Sequence, residues 1–209
     1  MKRLFFILSV LVSIHAAGQA RLSAEEQDRV LSAIDRSASE MKCMQCDFTQ
    51  TKTMKMLSRD MQSKGVMFFR SPDKLRWQYN SPYKYVFILN DGKIHLESSS
   101  SVQNIDVKEN KIFRQIAGIM LGTITGGGLK GSADFNVEMY KDGSAYFARL
   151  YPKKKEVKQI YDFIEIWFNP SLTMVSSVKM VEKTGDVTIV KLLNVKANGS
   201  VDDKVFVAG

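Results

Sequence analysis

Histidine, cysteine, tryptophan and proline are scarce in this 209-residue chain, at two, two, two and four. Each shortage excludes a class of chemistry. One of the histidines, His15, falls in an N-terminal segment that reads as removable, which leaves His95 alone. Flanked by Ile94 and Leu96, His95 reads as a strand-face residue rather than a catalytic base. There is no Gly-x-Ser-x-Gly elbow, no His-Glu-x-x-His and no repeated Asp/His pattern. Gly126-Gly127-Gly128 and Gly131 lack the Gly-Lys-Ser/Thr that a phosphate loop needs, so they read as a flexible stop after a helix. The chain therefore reads as a non-enzyme, with no catalytic residues, no cofactor and no metal.

Long hydrophobic runs are also missing. The longest, Leu4 to Ile14, is too short to span a bilayer as a helix, which takes about 20 apolar residues. Lys2 and Arg3 precede it, and Ala16, Ala17, Gly18 and Ala20 follow. That order predicts a secretory signal peptide over residues 1–20, cleaved after Ala20 or nearly as well after Gly18, with one soluble domain over 21–209. No cysteine follows closely enough for lipid attachment. The whole chain carries +8, and loss of Lys2 and Arg3 leaves +6. A basic, exported chain suits anionic membrane surfaces or acidic partners better than nucleic acid, for which no binding motif exists.

The two cysteines stand three apart, in Cys43-Met44-Gln45-Cys46. A structural zinc site wants about four Cys or His ligands, more than the two cysteines and one histidine left after the leader. A thioredoxin-like pair should open a helix after a strand, whereas this pair follows a predicted helix and precedes a predicted strand. A short-loop disulfide formed in an oxidising compartment is the simplest expectation, pinning the end of that helix to the strand.

What is abundant is strand. Ser23 with Glu26 forms a capping box, and Val30, Ile34, Ala38 and Met41 recur at helical spacing, which predicts one amphipathic helix from about Ser23 to Lys42. From Asp47 onward, short runs rich in β-branched and aromatic residues alternate with turns. Leu75, Trp77 and Tyr79 face one way, Arg76 and Gln78 the other, and Asn90-Asp91-Gly92 is a strong hairpin signal. The basic run Lys153, Lys154, Lys155 and Lys158 reads as a solvated loop, and 202–207 as a last short strand. Ile112, Phe113, Ile116, Ile119, Met120 and Ile124 interrupt the pattern at helical spacing. The fold class is mainly β with helices: about eleven antiparallel strands in an unclosed half-barrel, with a helical lid over a hydrophobic cavity. Ten methionines after the leader add flexible apolar surface.

These residues resemble a known family. Phe48-Thr49-Gln50 is similar to the Phe-x-Gln opening of the outer-membrane lipoprotein carrier (LolA) family. Gly65 to Trp77, with Arg70-Ser71-Pro72-Asp73-Lys74-Leu75-Arg76-Trp77, resembles its Gly-x-hydrophobic-basic-Pro-x-x-hydrophobic-x-Trp segment. Pro82 and Asn90-Asp91-Gly92-Lys93 resemble the family's next proline and its Asp-Gly-Lys hairpin. The resemblance implies a periplasmic, monomeric carrier of lipoprotein acyl chains, loaded by an inner-membrane ABC lipoprotein exporter and emptied by an outer-membrane acceptor. It implies acyl-chain contacts at Phe69, Leu75, Trp77, Ile112, Ile116, Ile119 and Met120. Proteobacterial members of that family carry a latch arginine immediately before the proline, tying sheet to lid. Ser71 stands there and Arg70 precedes it, so both are latch candidates. Two alternatives remain open: a lipid- or glycolipid-binding or envelope-sensing domain of the same fold, and a thiol–disulfide protein using Cys43 and Cys46.

Overall fold

A computed structural model gives the fold of residues 18–56 and 60–208; the side chains of Lys111, Ile112, Gln115 and Ile116 lie outside the description. Residues 1–17 of the expected leader also lie outside the described residues. The described residues form one twelve-stranded antiparallel sheet with three α-helices. A two-residue strand β1 (Ala20–Arg21) leads into α1 (Ala24–Glu40). The Ser23–Glu26 capping box is formed and satisfies orphan amides of the first turn. Val30, Leu31 and Ile34 are the buried face of α1, each contributing about 1.5–3 kcal/mol of apolar burial.

Six strands then follow as a meander: β2 (Cys43–Thr53), β3 (Asp60–Arg70), β4 (Lys74–Ser81), β5 (Tyr85–Asn90), β6 (Lys93–Ser98) and β7 (Val102–Asp106). The β5–β6 turn places Asp91 and Gly92 at φ 50° and 75°, the left-handed pair that a two-residue hairpin requires. Helix α2 (Lys111–Thr125) separates this meander from a second: β8 (Phe135–Asp142), β9 (Ala145–Pro152), β10 (Tyr161–Phe168), β11 (Val175–Glu182) and β12 (Val187–Ala197). The sheet order is β1-β8-β9-β10-β11-β12-β2-β3-β4-β5-β6-β7. The pairing of β12 with β2 welds the two meanders, and the sheet ends at β1 and β7 without closing. Helix α2 runs from the edge strand β7 to β8, beside the opposite edge, so the chain itself bridges the opening of the half-barrel.

Two local expectations are corrected. The basic run is not all loop: Lys155–Lys158 is a short helix, α3, whose Val157 is buried between its exposed lysines. The last predicted strand is a 3-10 turn, Asp203–Phe206, because the Asp202 side chain caps the Lys204 amide. That turn seats Phe206, only 1 % exposed, with Cys43, Ile88 and Val201 in a small apolar cluster on the outer face of the sheet. The main core lies on the inner face, beneath α1 and α2.

Candidate functional site

Ladder register divides the inner face into rows. Met44, Phe69, Leu75, Leu89 and Ile94 are successive cross-strand partners beside the junction of α1 with β2. None is more than 3 % exposed, so this row is filled core. The next row runs Cys46, Met67, Trp77, Phe87, Leu96, and the one after it Phe48, Gly65, Tyr79, Tyr85. A cavity of about 290 Å³ opens from these two rows. Trp77, Phe87, Tyr79, Tyr85 and Gln50 form one wall; Tyr161, Val178, Met180, Val190 and Leu192, from β10, β11 and β12, form the other. The roof is one face of α2: Ile119, Met120, Thr123 and Ile124.

The walls are apolar with a few polar tips. Phe48 packs against Trp77 at 4.4 Å and edge-on to Tyr79 at 5.1 Å between ring centroids. The Tyr79 hydroxyl donates to Gln50 Oε1 at 2.8 Å. Burial pushes the phenols of Tyr79, Tyr85 and Tyr161 above their ordinary 10.0, so all three stay neutral in the physiological range. Trp77 is 8 % exposed, and its indole Nε1 is buried without a hydrogen-bond acceptor among the described residues. The indole lies close enough to favour the ionised form of Tyr79, but without satisfying hydrogen-bond geometry. An unmet buried donor costs about 1–3 kcal/mol.

Of the residues that the resemblance implicates, Trp77, Ile119 and Met120 line the cavity. Phe69 and Leu75 share its face but belong to the filled row. The side chains of Ile112 and Ile116, both within α2, lie outside the described residues. Arg70 stands on the outer face, where its Nη1 meets Asp203 at 2.5 Å and its guanidinium lies over the Phe206 ring. Ser71 is exposed and donates its backbone N–H to the Lys42 carbonyl. Neither bonds to α2 among the described residues. Other groups fasten the helix. Arg114 Nε donates to the Val107 carbonyl at 3.2 Å, and its Nη2 to that of Lys108. The loop after α2 is tied to α1: Gly128 N–H donates to Asp35 at 3.0 Å, and Lys130 meets Ser32 at 3.0 Å and Asp28 at 2.7 Å. These ties cross about a hundred residues of sequence, and no local pattern announced them.

The disulfide expected between Cys43 and Cys46 is not formed; both cysteines are free and buried. Strand β2 begins at Cys43 itself, and residues three apart on a strand face opposite sides. The Cys43 thiol donates to the Gly199 carbonyl at 2.9 Å in the outer cluster, whereas Cys46 lies in the inner core. Burial pushes the Cys46 thiol up to about 12, the reverse of the depressed value that a redox nucleophile needs. His95 is on the outer face of β6, 2.8 Å from Asn104 and 3.4 Å from Glu97.

Solved structures share this fold at low identity. An uncharacterised conserved protein from Thermus thermophilus superposes with a TM-score of 0.53 at 6% identity, covering 88% of this chain and 94% of that one. The MucA/MucB complex of Pseudomonas aeruginosa gives 0.51 at 8% identity, over 88% of this chain and 61% of that one. Among curated proteins, an outer-membrane lipoprotein carrier protein of Legionella pneumophila (strain Lens) is 26% identical over 207 residues, 99% of this chain and 94% of that protein. Another, from Methylococcus capsulatus, is 22% identical over 86% of this chain and 81% of that protein. The family model described as "Outer membrane lipoprotein carrier protein LolA" matches residues 39–208, from the end of α1 to the outer 3-10 turn. The unclosed sheet, its roofed cavity and that match over most of the length agree: this chain belongs to the LolA family of outer membrane lipoprotein carrier proteins.

Proposed function

We propose that this protein is a periplasmic, non-enzymatic carrier that takes the acyl chains of lipoproteins between its sheet and α2. It would receive them from an inner-membrane ABC exporter and surrender them to an outer-membrane acceptor. The observation that carries this reading is the apolar cavity roofed by a single helix that bridges the two free edges of the sheet. At about 290 Å³ it sits at the low end of ligand pockets, roughly 300–1,000 Å³. A chain of lipid length therefore enters by lifting α2. Releasing Ile119, Met120 and Ile124 costs at most about 1.5–3 kcal/mol each, and every ligand methylene buried returns about 0.8 kcal/mol. About six to eleven methylenes thus compensate for the opened roof, fewer than one lipid chain supplies. One buried chain therefore more than offsets the opened roof.

The test is native mass spectrometry of the mature protein purified gently from its own cell envelope, followed by lipid extraction. A bound acylated peptide or lipoprotein supports the carrier reading. Bound glycolipid or phospholipid keeps the cavity and moves the function to lipid transport. A protein that is always empty, and that fails to take up a fluorescent fatty-acid probe, rejects the carrier and points to a protein-binding role such as envelope sensing.

A further inference from the structure

The cavity wall contains one feature that hydrocarbon alone does not explain. Trp77 is more than nine-tenths buried, and its Nε1–H finds no acceptor among the described residues. Indole N–H is donor only, so nothing on the ring itself can compensate. Beside it, the Tyr79 hydroxyl spends its proton on Gln50 Oε1. That bond fixes the Gln50 amide on the same wall, with its Nε2 donors turned away from the Tyr79 hydroxyl. Across the roof, Thr123 gives its hydroxyl proton to the Met120 carbonyl. With their protons spent, Tyr79 Oη and Thr123 Oγ1 offer only lone pairs, so the nitrogen donors of this part of the cavity are Trp77 Nε1–H and the Gln50 amide, in a setting otherwise lined by Phe87, tyrosine rings and aliphatic side chains. Buried donors without partners are rare in folded proteins and call for an acceptor.

We propose that Trp77 Nε1–H, on the same cavity wall as the Gln50 amide, is a hydrogen-bond subsite that receives the ester carbonyl of an acylated glyceryl ligand, the chain beyond the carbonyl running along the apolar walls. This rests on the carrier reading and adds to it a rule of selection. Pure hydrocarbon leaves the donor unmet, an ether-linked chain offers only a weak acceptor, and an acyl ester satisfies it. It also fixes depth: the first carbon of one chain stops at the Trp77 row, one ladder row short of the filled core of Phe69 and Leu75.

The experiment compares matched probes on the full mature chain: a synthetic diacylglyceryl-cysteine peptide and its dialkyl-ether counterpart, each bound to wild type and to Trp77→Phe. The expected result is that wild type prefers the ester by about tenfold and Trp77→Phe erases the preference. Loss of ring volume affects both probes alike and cancels in the ratio. Because the chain has only two tryptophans, indole N–H resonances provide a second readout on unmutated protein. The Trp77 proton should shift downfield with the ester probe and not with the ether, while Trp167 stays put. That readout decides the matter even if Trp77→Phe folds poorly. Equal affinity for the two probes, with no ester-specific shift, overturns the subsite and leaves the carrier reading standing. Failure of wild type to bind either probe overturns both. The same pair of measurements with diacyl and dialkyl phosphatidylglycerol identifies the source of the ester: an ester preference in the peptide pair alone assigns the subsite to lipoproteins, and one of equal size in both pairs assigns it to glyceryl esters at large.

Discussion

Gly65 lies directly opposite Phe48 across the β2–β3 ladder, and the Phe48 ring occupies the space where a side chain on residue 65 would stand. A Cβ there would come within 2.8 Å of Phe48 Cε1 and 1.9 Å of the Gln78 carbonyl oxygen. The β3–β4 ladder slips by one residue between Lys64 and Gly65, so β4 approaches this backbone unusually closely. The ring could move; the carbonyl belongs to the sheet. Gly65→Ala should therefore cost about 3 kcal/mol, the upper end of what overpacking does. Urea unfolding monitored by circular dichroism measures it. A loss under about 1 kcal/mol would mean that β3 and β4 separate easily here.

Arg149, Glu165 and Lys179 are direct cross-strand neighbours on the outer face of β9, β10 and β11. Glu165 is only 2 % exposed. Arg149 grips its Oε1 through Nε at 2.9 Å and Nη2 at 2.6 Å, while the guanidinium lies over Tyr140 at 4.8 Å and Phe163 at 5.0 Å. Lys179 adds a second ion pair to Oε2 at 3.6 Å, longer than a hydrogen bond. Arg149→Met should destabilise by about 3 kcal/mol, the lower end of the cost of breaking a buried pair, since it leaves the buried carboxylate with only the longer Lys179 contact. The double change Arg149→Met with Glu165→Leu should recover most of that loss. Additive losses in the two single variants and the double would contradict the coupling.

Cys46 makes a pH prediction. Its thiol holds its proton to about 12 in the folded chain, against an ordinary 9.0. The group's contribution is fully present below pH 9 and is lost as pH rises from 9 toward 12, because the unfolded chain releases the proton first. Stability should fall over that window, and Cys46→Ala should fall less steeply. At pH 8 an alkylating reagent should modify Cys46 only as fast as the protein opens. Rapid labelling of Cys46 in native protein would revive the thiol–disulfide alternative.

Much of the fold is legible in the sequence because its signals are local. The Ser23–Glu26 box starts α1, Asp91-Gly92 turns the β5–β6 hairpin, and Leu75, Trp77 and Tyr79 do share the inner face. Period-two patterning says which residues point inward; it does not say how far along each strand the core is already filled. That is why Leu75 and Trp77, two residues apart, divide between packed row and cavity wall. The cysteines depended on a strand boundary, the least certain feature of any strand pattern. With β2 starting at Cys43 rather than Asp47, the pair splits across the sheet. The final strand failed for a different reason. Asp202 favours its own backbone over a ladder, and an alternating pattern cannot register that competition. The Arg149–Glu165–Lys179 row was invisible because its members are brought together only by strand pairing.

Gly126 governs how α2 opens. It follows the last helical residue, Thr125, at φ +73°, and its N–H bonds the Gly122 carbonyl at 2.9 Å, the left-handed ending that glycine permits. A Cβ would meet Phe168 Cε1 at 2.7 Å and Val175 Cγ2 at 3.3 Å. Gly126→Ala therefore opposes the closed roof twice, through about 1–2 kcal/mol of left-handed strain and through a side-chain collision with β10 and β11. Both costs act on the end of α2 that carries Thr123 and Ile124, and both are relieved when that end lifts. The association rate of a fluorescent fatty-acid probe should rise by about five- to thirtyfold, the factor equivalent to 1–2 kcal/mol, while thermal stability drops. Stopped-flow mixing gives the rate and calorimetry the stability. If stability falls and the rate does not rise, α2 is a fixed wall and ligand enters elsewhere, past the free edge of β7. If both change as expected, the helix that bridges the sheet edges is also the gate, and its closing strength is set at a single backbone position.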